Sequence, residues 1–232
     1  MDYLNVLVDP HRAAIDVGAN LGRYAEPLAL LATHVWAFEP HPRLARILRK
    51  SLPRKVTVTQ AAISDHHGSM KLHVPLREDQ QVESLATLEP MHGQEAYRTI
   101  KVPILTLDDF CEHDIGFVKI DVEGHELNVI EGGRKLLASQ RPVVLVEADE
   151  HHRVGTTAEL FGLMVSLGYQ GLFIWRGRVC EIAEFDPAQM QNEQDARPAT
   201  PRKSWPYVNN FIFVPDGASF SSVRQRLETR VR

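Results

Sequence analysis

The sequence predicts an α/β fold, with helices covering both faces of a mostly parallel sheet. Three observations carry that reading. Apolar, strand-like runs alternate with amphipathic, helix-like stretches from Ala13 onward, the pattern of successive βαβ units. Four of the runs end in an acid, at Asp16, Glu39, Asp121 and Glu147, and the carboxyl ends of parallel strands are where such sheets bind ligands. The first run enters its helix through Gly18-Ala19-Asn20-Leu21-Gly22, a glycine-punctuated turn of the nucleotide-fold kind.

The elements follow in order. Ala13–Val17 is the first strand, and Leu21, Ala25, Leu28, Ala29 and Ala32 recur at helical spacing after it. Val35–Phe38 is the second strand. Pro42 suits the first position of a helix that turns Leu44, Ile47 and Leu48 to the sheet. Val56–Thr59 is the third strand, Ala61–Asp65 ends in a polar turn, and Met70–Val74 alternates as a further strand. Residues 76–100 lack clear periodicity and read as a surface insertion. Thr106 is a candidate N-cap with Asp109 three residues on. Phe117–Asp121 and Val143–Glu147 are the fourth and fifth core strands. Thr156 and Glu159 make a capping-box-like pair before a helix lined by Leu160, Leu163, Met164 and Leu167. Gly171–Trp175 and Asn210–Val214 supply two more strands. The stretch 186–207, rich in Gln, Pro and charge, reads as a mobile loop or a substrate lid, and Ser219–Arg232 as a basic, solvated helix.

Composition bounds the function. At 232 residues and 44% hydrophobic content the chain suits one domain, residues 1–232, with a core over 13–175 and a final strand at 209–215. A net charge of -4 argues against a nucleic-acid partner. Cys111 and Cys180 form neither a disulfide framework nor a metal-spaced motif. Met1–Asn5 has no signal character and no apolar run reaches the length of a membrane span, so the expected setting is the cytoplasm, without a membrane partner.

The first turn discriminates between cofactors. A dinucleotide fingerprint requires Gly-x-Gly-x-x-Gly, whereas here Asn20 replaces the middle glycine and Arg23 the third. Asn visits the left-handed region more readily than most residues, so the turn survives. S-adenosylmethionine needs no phosphate cradle. Its ammonium suits Asp16, its carboxylate the amides that open the helix, and its ribose diol Glu39, about 20 residues past the turn. Gly18, Asn20 and Gly22 complete the cofactor turn. Asp65 and Ser64, after the third strand, are expected to meet the adenine.

The segments Ile15-Asp16-Val17-Gly18-Ala19-Asn20-Leu21-Gly22, Ala37-Phe38-Glu39-Pro40, Ala61-Ala62-Ile63-Ser64-Asp65, Leu105-Thr106-Leu107-Asp108-Asp109 and Val118-Lys119-Ile120-Asp121-Val122-Glu123-Gly124-His125-Glu126-Leu127 together resemble the FkbM family of adenosylmethionine-dependent methyltransferases. The resemblance covers about residues 13–150. It implies a Rossmann-like class I methyltransferase: a seven-stranded, mostly parallel sheet with one antiparallel strand and helices on both faces. It also implies O-methyl transfer to a hydroxyl of a small molecule, a sugar or glycan or a polyketide-type product. With only a dozen residues before the first strand, the acceptor pocket falls to 76–100 and 176–208.

An aliphatic hydroxyl is a poor nucleophile near neutral pH, so the reaction needs a general base or a metal. The candidates are Asp121, which can also face the cofactor, with Glu123 and Glu147; His151 and His152 are second choices. Glu126 reads as a helix-start acid. Magnesium on Asp121, Glu123 and Glu147 is chemically conceivable, but an essential metal is not expected. Two other functions remain open at this point: an NAD(P)-dependent oxidoreductase, disfavoured by the missing third glycine, and a non-catalytic adenosylmethionine-binding domain.

Overall fold

A computed structural model describes residues 3–77, 80–81, 86–89, 96–151, 153–191 and 207–231. In chain order the strands are β1 (Ala13–Val17), β2 (Val35–Phe38), β3 (Val56–Thr59), β4 (Ala62–Ile63), β5 (Gly68–Arg77), β6 (Gln80–Gln81), β7 (Tyr97–Leu105), β8 (Ile115–Ile120), β9 (Val143–Glu147), β10 (Tyr169–Trp175), β11 (Arg178–Glu181) and β12 (Asn210–Pro215). The helices are α1 (Leu4–Leu7), α2 (Ala25–Leu31), α3 (Pro42–Ser51), α4 (Glu126–Glu131), α5 (Arg134–Gln140), α6 (Thr156–Ser166), α7 (Pro187–Met190) and α8 (Ala218–Val231).

Eight strands form the main sheet, in the order β11-β10-β12-β9-β8-β1-β2-β3. The five from β9 to β3 pair in parallel, and β12 runs antiparallel between β9 and β10. The sheet is therefore larger than the seven strands expected. The added one, β11, pairs antiparallel with β10 at the edge. Between them Arg176 (φ 49°) and Gly177 (φ 76°) make a two-residue turn with both residues left-handed, the geometry that matches strand twist in tight hairpins. Part of the expected 176–208 insertion is thus sheet.

Strands buried on both faces explain the continuous apolar runs. One face packs Val118, Ile120, Val144 and Val146 under α4, α5 and α6. The other packs Ala14, Phe117, Leu145 and Ile212 under α1, α2 and α8. Helix α8 buries Phe220, Val223 and Leu227, so the C-terminal tail is a packed amphipathic helix and not only a solvated one. Leu21 stands exposed in the turn before α2, outside the helical face expected of it, and Ile47 of α3 is likewise exposed while Ala45 is buried. Thr106 and Asp109 cap each other as expected, on a single 3-10 turn. At α6 the expected pair fails. Glu159 instead ion-pairs with Arg153, and Glu150 accepts from the backbone of Gly155 and Thr157.

A second, four-stranded sheet, β4-β7-β5-β6, stands beside the carboxyl end of the main one. Strand β7 begins at Tyr97, inside the stretch expected to be insertion, and pairs with β5 from Tyr97 opposite Pro75 to Ile104 opposite Gly68. Its first residues are exposed on both faces, so they carry no apolar alternation for a sequence reading to detect. His152 and most of the 186–207 stretch lie outside the described residues. Among the described residues no helix is long and apolar enough to cross a membrane.

Candidate active site

The site is built where β1, β2 and β8 end side by side. Asp16 on β1 stands opposite Ala37 of β2 and Lys119 of β8, so the segments that leave these strands meet at one edge. The turn after β1 folds back on its neighbours: Gly18 N and Ala19 N donate to Phe38 O, and Asp121 N donates to Val17 O. Gly18 has φ 81°, and a Cβ there would sit 1.8 Å from the Asp121 carbonyl oxygen. No side chain fits that approach. Asn20 adopts φ 49°, the left-handed conformation expected of it.

Glu39 is buried, and its two oxygens accept from Asn20 N at 2.8 Å and His41 N at 2.7 Å. Burial pushes its carboxyl up to about 7, against the pull of those two amides. Asp16 is buried as well, and burial raises it to about 7 although Lys119 draws it down. Its Oδ2 has no hydrogen-bond partner among the described residues, and neither has the buried Asn20 Oδ1. An orphaned carboxylate oxygen is a place for a cation or donor that arrives from outside.

Beside these groups lies a cavity of about 620 Å3, counting space open to solvent. Gly18, Asn20, Glu39, Asp121 and Glu123 form its polar side. Phe38, Pro40 and Ile63, with Leu72 and Leu88 from the second sheet and its covering segment, form the apolar side. A flat aromatic base, a diol and a cationic tail match this division. Glu39 keeps lone pairs for hydroxyl donors, and Asp16 keeps one whole oxygen for an ammonium.

A row of polar side chains crosses the sheet next to the cavity. Lys119 pairs across from Asp16, and also lies opposite Leu145, two residues before Glu147; Glu147 is opposite Asn210. With a side-chain period of two, Asp16, Lys119, Glu147 and Asn210 share one face. Lys119 is fully buried. Its Nζ donates to Ile120 O at 2.9 Å, lies 4.9 Å from the Tyr24 ring centroid, and stands 3.8 Å from Asp121 and 3.7 Å from Glu147. Burial first, then the neighbouring Asp121 charge, raises the Glu147 carboxyl to about 7. Asn209 Nδ2 donates to Glu147 Oε1 at 2.7 Å and fixes its far side.

Of the residues expected at the site, Gly18, Asn20, Glu39, Asp121 and Glu123 line the cavity, and Asp16 and Glu147 stand beside it in the polar row without lining it. Ser64 and Asp65 do not wall the cavity, which Ala61, Ala62 and Ile63 line instead. Ser64 is fully buried and its Oγ lies 3.0 Å from an oxygen of Asp65, whose carboxyl is also bound by His66 and held below its usual range. Gly22 faces away, packed on Leu48 of α3 and on Leu52 just after it. His151 is exposed, and its amide donates to Asp149. Glu126 accepts from Gly124 N, the helix-start role expected. Sequence reasoning missed Lys119. A lysine inside an otherwise apolar, doubly buried strand was the available signal, since lysine is almost never fully buried unless paired. It also missed His125, whose two nitrogens contact Ser64 and Glu89; only a structure brings those three segments together. Among the described residues no group of three or more His, Cys, Asp or Glu side chains stands in metal-binding geometry.

Comparison with known proteins agrees with this architecture. The chain is 26% identical over 164 residues to the 2-O-methyltransferase NoeI of Sinorhizobium fredii (strain NBRC 101917 / NGR234), covering 63% of this chain and 68% of that protein. The crystal structure of methyltransferase FkbM from Methylobacillus flagellatus KT superposes with a TM-score of 0.55 at 16% identity, over 88% of this chain. This chain spans only 44% of the length of that one, so the likeness speaks for the fold. The methyltransferase FkbM domain matches residues 16–170, two-thirds of the sequence and every strand end described above except those of β10, β11 and β12, and the chain therefore belongs to the FkbM methyltransferase family.

Proposed function

We propose that this adenosylmethionine-dependent methyltransferase delivers the methyl group to a hydroxyl oxygen of a small molecule, either a sugar or glycan or a polyketide-type natural product. The observation that carries the reading is the Asp121–Glu147 pair over Lys119 at the cavity edge. A hydroxyl acceptor requires a base, and a carboxyl raised to about 7 gives up and takes back a proton near neutral pH. The name of the NoeI relative, a 2-O-methyltransferase, supports a hydroxyl acceptor.

In this reading Glu39 holds the ribose diol, Asp16 the ammonium, and Gly18 and Asn20 shape the turn around them. Ser64 and Asp65 bear on the adenine end indirectly, by fixing the Ile63 wall, and Gly22 by seating the turn on α3. The bound cofactor supplies a methyl carbon already activated by sulfonium. The protein's share is to orient the acceptor and move one proton. Asp121 lines the cavity, and the proton leaving the hydroxyl passes to the Asp121–Glu147 pair. Glu123 orients the acceptor from the same turn. Lys119 keeps the pair from holding its proton too tightly. Asn210 Oδ1, buried and without a partner among the described residues, offers the acceptor one more hydrogen-bonding group.

The chain works as one domain in the cytoplasm, with 76–100 and 176–208 on the substrate side, and neither nucleic acid nor membrane is its partner. The net charge of -4 supports the last point. The test is methyl transfer from labelled adenosylmethionine to a panel of sugars and polyketide-type alcohols, with and without EDTA. Turnover should survive EDTA, and Asp121→Asn should lower kcat about 100-fold or more with little loss of cofactor affinity. Loss of turnover restored by magnesium would recast Asp121, Glu123 and Glu147 as metal ligands. Binding without turnover across the panel would favour a non-catalytic domain.

A further inference from the structure

The segment 86–89 crosses the apolar side of the cavity. Ala86 and Leu88 are among its lining residues, and Leu88 is buried with Leu72, Val102 and Ile104 of the second sheet. On one flank the attachment is main chain: Thr87 N donates to His73 O at 3.0 Å, and His73 N donates to Thr87 O at 2.7 Å. On the other flank it is side chain, and it reaches the turn that carries Asp121 and Glu123. Thr87 Oγ1 donates to the Glu123 carbonyl at 2.7 Å and accepts from Glu89 N at 3.0 Å. Glu89 Oε1 lies 2.6 Å from His125 Nδ1, and His125 Nε2 lies 2.9 Å from Ser64 Oγ.

This chemistry suits a link between separate segments. An ionised carboxylate only accepts, so Nδ1 carries the proton in the Glu89 contact. The opposite ring nitrogen is held by a fully buried serine, so the imidazole is fixed at both ends and itself buried. The Glu89 carboxylate is the half-exposed end of the chain. Glu123, whose carbonyl anchors Thr87, has φ 53°, so the segment also braces a turn that is not in a relaxed conformation.

We infer that Glu89 and His125 form a clasp that holds residues 86–89 over the adenosine side of the cavity, and thereby set cofactor affinity as positioning residues. The inference rests on the cavity being the adenosylmethionine site. With the clasp closed, Ala86 and Leu88 complete the apolar wall. With it opened, the segment keeps its main-chain pairing to β5 and the Thr87 bond to the Glu123 carbonyl, but loses the link to the buried imidazole.

The test is calorimetric titration of adenosylmethionine into the full-length protein and its Glu89→Ala, His125→Ala, double Glu89→Ala/His125→Ala and Glu39→Ala forms. Glu89→Ala should raise Kd about three- to tenfold, since one charge-assisted bond at a half-exposed site is lost. kcat at saturating cofactor should stay within about twofold. The double variant should bind no worse than the weaker single variant, because one link is broken in each. Amide exchange at 86–89 should be slowed by cofactor in the parent protein and not in Glu89→Ala, while exchange in β8 is the same in both. Because Glu89 is half-exposed, its substitution leaves the core untouched, and Thr87→Val should weaken binding in the same direction. Unchanged Kd in Glu89→Ala, or additive losses in the double variant, would overturn the clasp. If Glu39→Ala loses affinity and Glu89→Ala does not, the clasp alone fails. If Glu39→Ala binds like the parent protein, the cavity assignment fails and takes the clasp with it.

Discussion

The β1–β2 end of the site and the β8–β9–β12 end handle buried charge in opposite ways. At the first, Glu39 is satisfied by backbone: two amides, from Asn20 and His41, meet its two oxygens, and the side-chain charge that acts on it is another acid, Asp121. At the second, charge is met by charge, with the single Lys119 ammonium serving Asp121 and Glu147 across two strands. Backbone satisfaction depends on a short stretch of sequence and a turn shape. Charge satisfaction depends on the register of strands that are far apart in the chain. The two ends should therefore fail differently when a residue is removed.

The largest effect is expected from Lys119→Met. Removing one partner of a buried ion pair costs about 3–5 kcal/mol, because the remaining charges stay buried without compensation. Here the loss should depend on pH. Glu147 and Asp16 are already raised to about 7, and without the lysine they hold their protons to higher pH still. Protonated acids need no counter-ion, so the destabilisation should shrink toward pH 5.5 and be full at pH 8. Urea unfolding at both values checks this. A loss that is the same at both would mean that the row is not an interacting charge system.

Next in size is Glu39→Ala, which breaks the other end. Each charge-assisted bond from a ribose hydroxyl contributes about 1.5–3 kcal/mol before the discount for solvent. Cofactor affinity should fall at least tenfold, with kcat at saturation changed little. The contrast with Asp121→Asn, which should lower kcat and spare affinity, sharpens the division. Equal losses of kcat and affinity in both variants would erase it.

That division also explains how much was legible beforehand. Asp16, Gly18, Asn20 and Glu39 could be read because strand, turn and helix follow one another in sequence, and turn chemistry is local. Asp121 and Glu147 could be read as acids at strand ends, but not as a pair, since their meeting depends on β8 lying beside β9. Lys119 was invisible as a partner for the same reason. β11 escaped because a short edge strand behind a two-residue turn has almost no periodicity of its own. Ser64 pointed to the adenine only through its place after a strand, and burial against His125 takes its hydroxyl off the cavity wall.

The smallest effect is the pH dependence of cofactor binding, and it probes the β1–β2 end without a mutation. Burial raises Asp16 and Glu39 to about 7 from the ordinary carboxylate range, so the free protein carries protons there that the unfolded chain does not. These groups thus favour folding most below the unfolded values near 4, and that contribution is lost as pH rises through 7. The free protein should lose stability from pH 5 to pH 8 on their account. A bound cation favours their ionised forms, so binding near pH 7 should release protons, and affinity should rise with pH. For one group that must ionise, the gain between pH 6 and pH 7.5 is about five- to tenfold; near pH 8 the ammonium of the ligand begins to titrate and closes the window. Calorimetry in two buffers of different ionisation enthalpy counts the protons. Asp16→Asn should remove part of the release and flatten the profile. Proton uptake on binding, or a flat profile in the parent protein, would show that Asp16 does not face the cationic end of the cofactor.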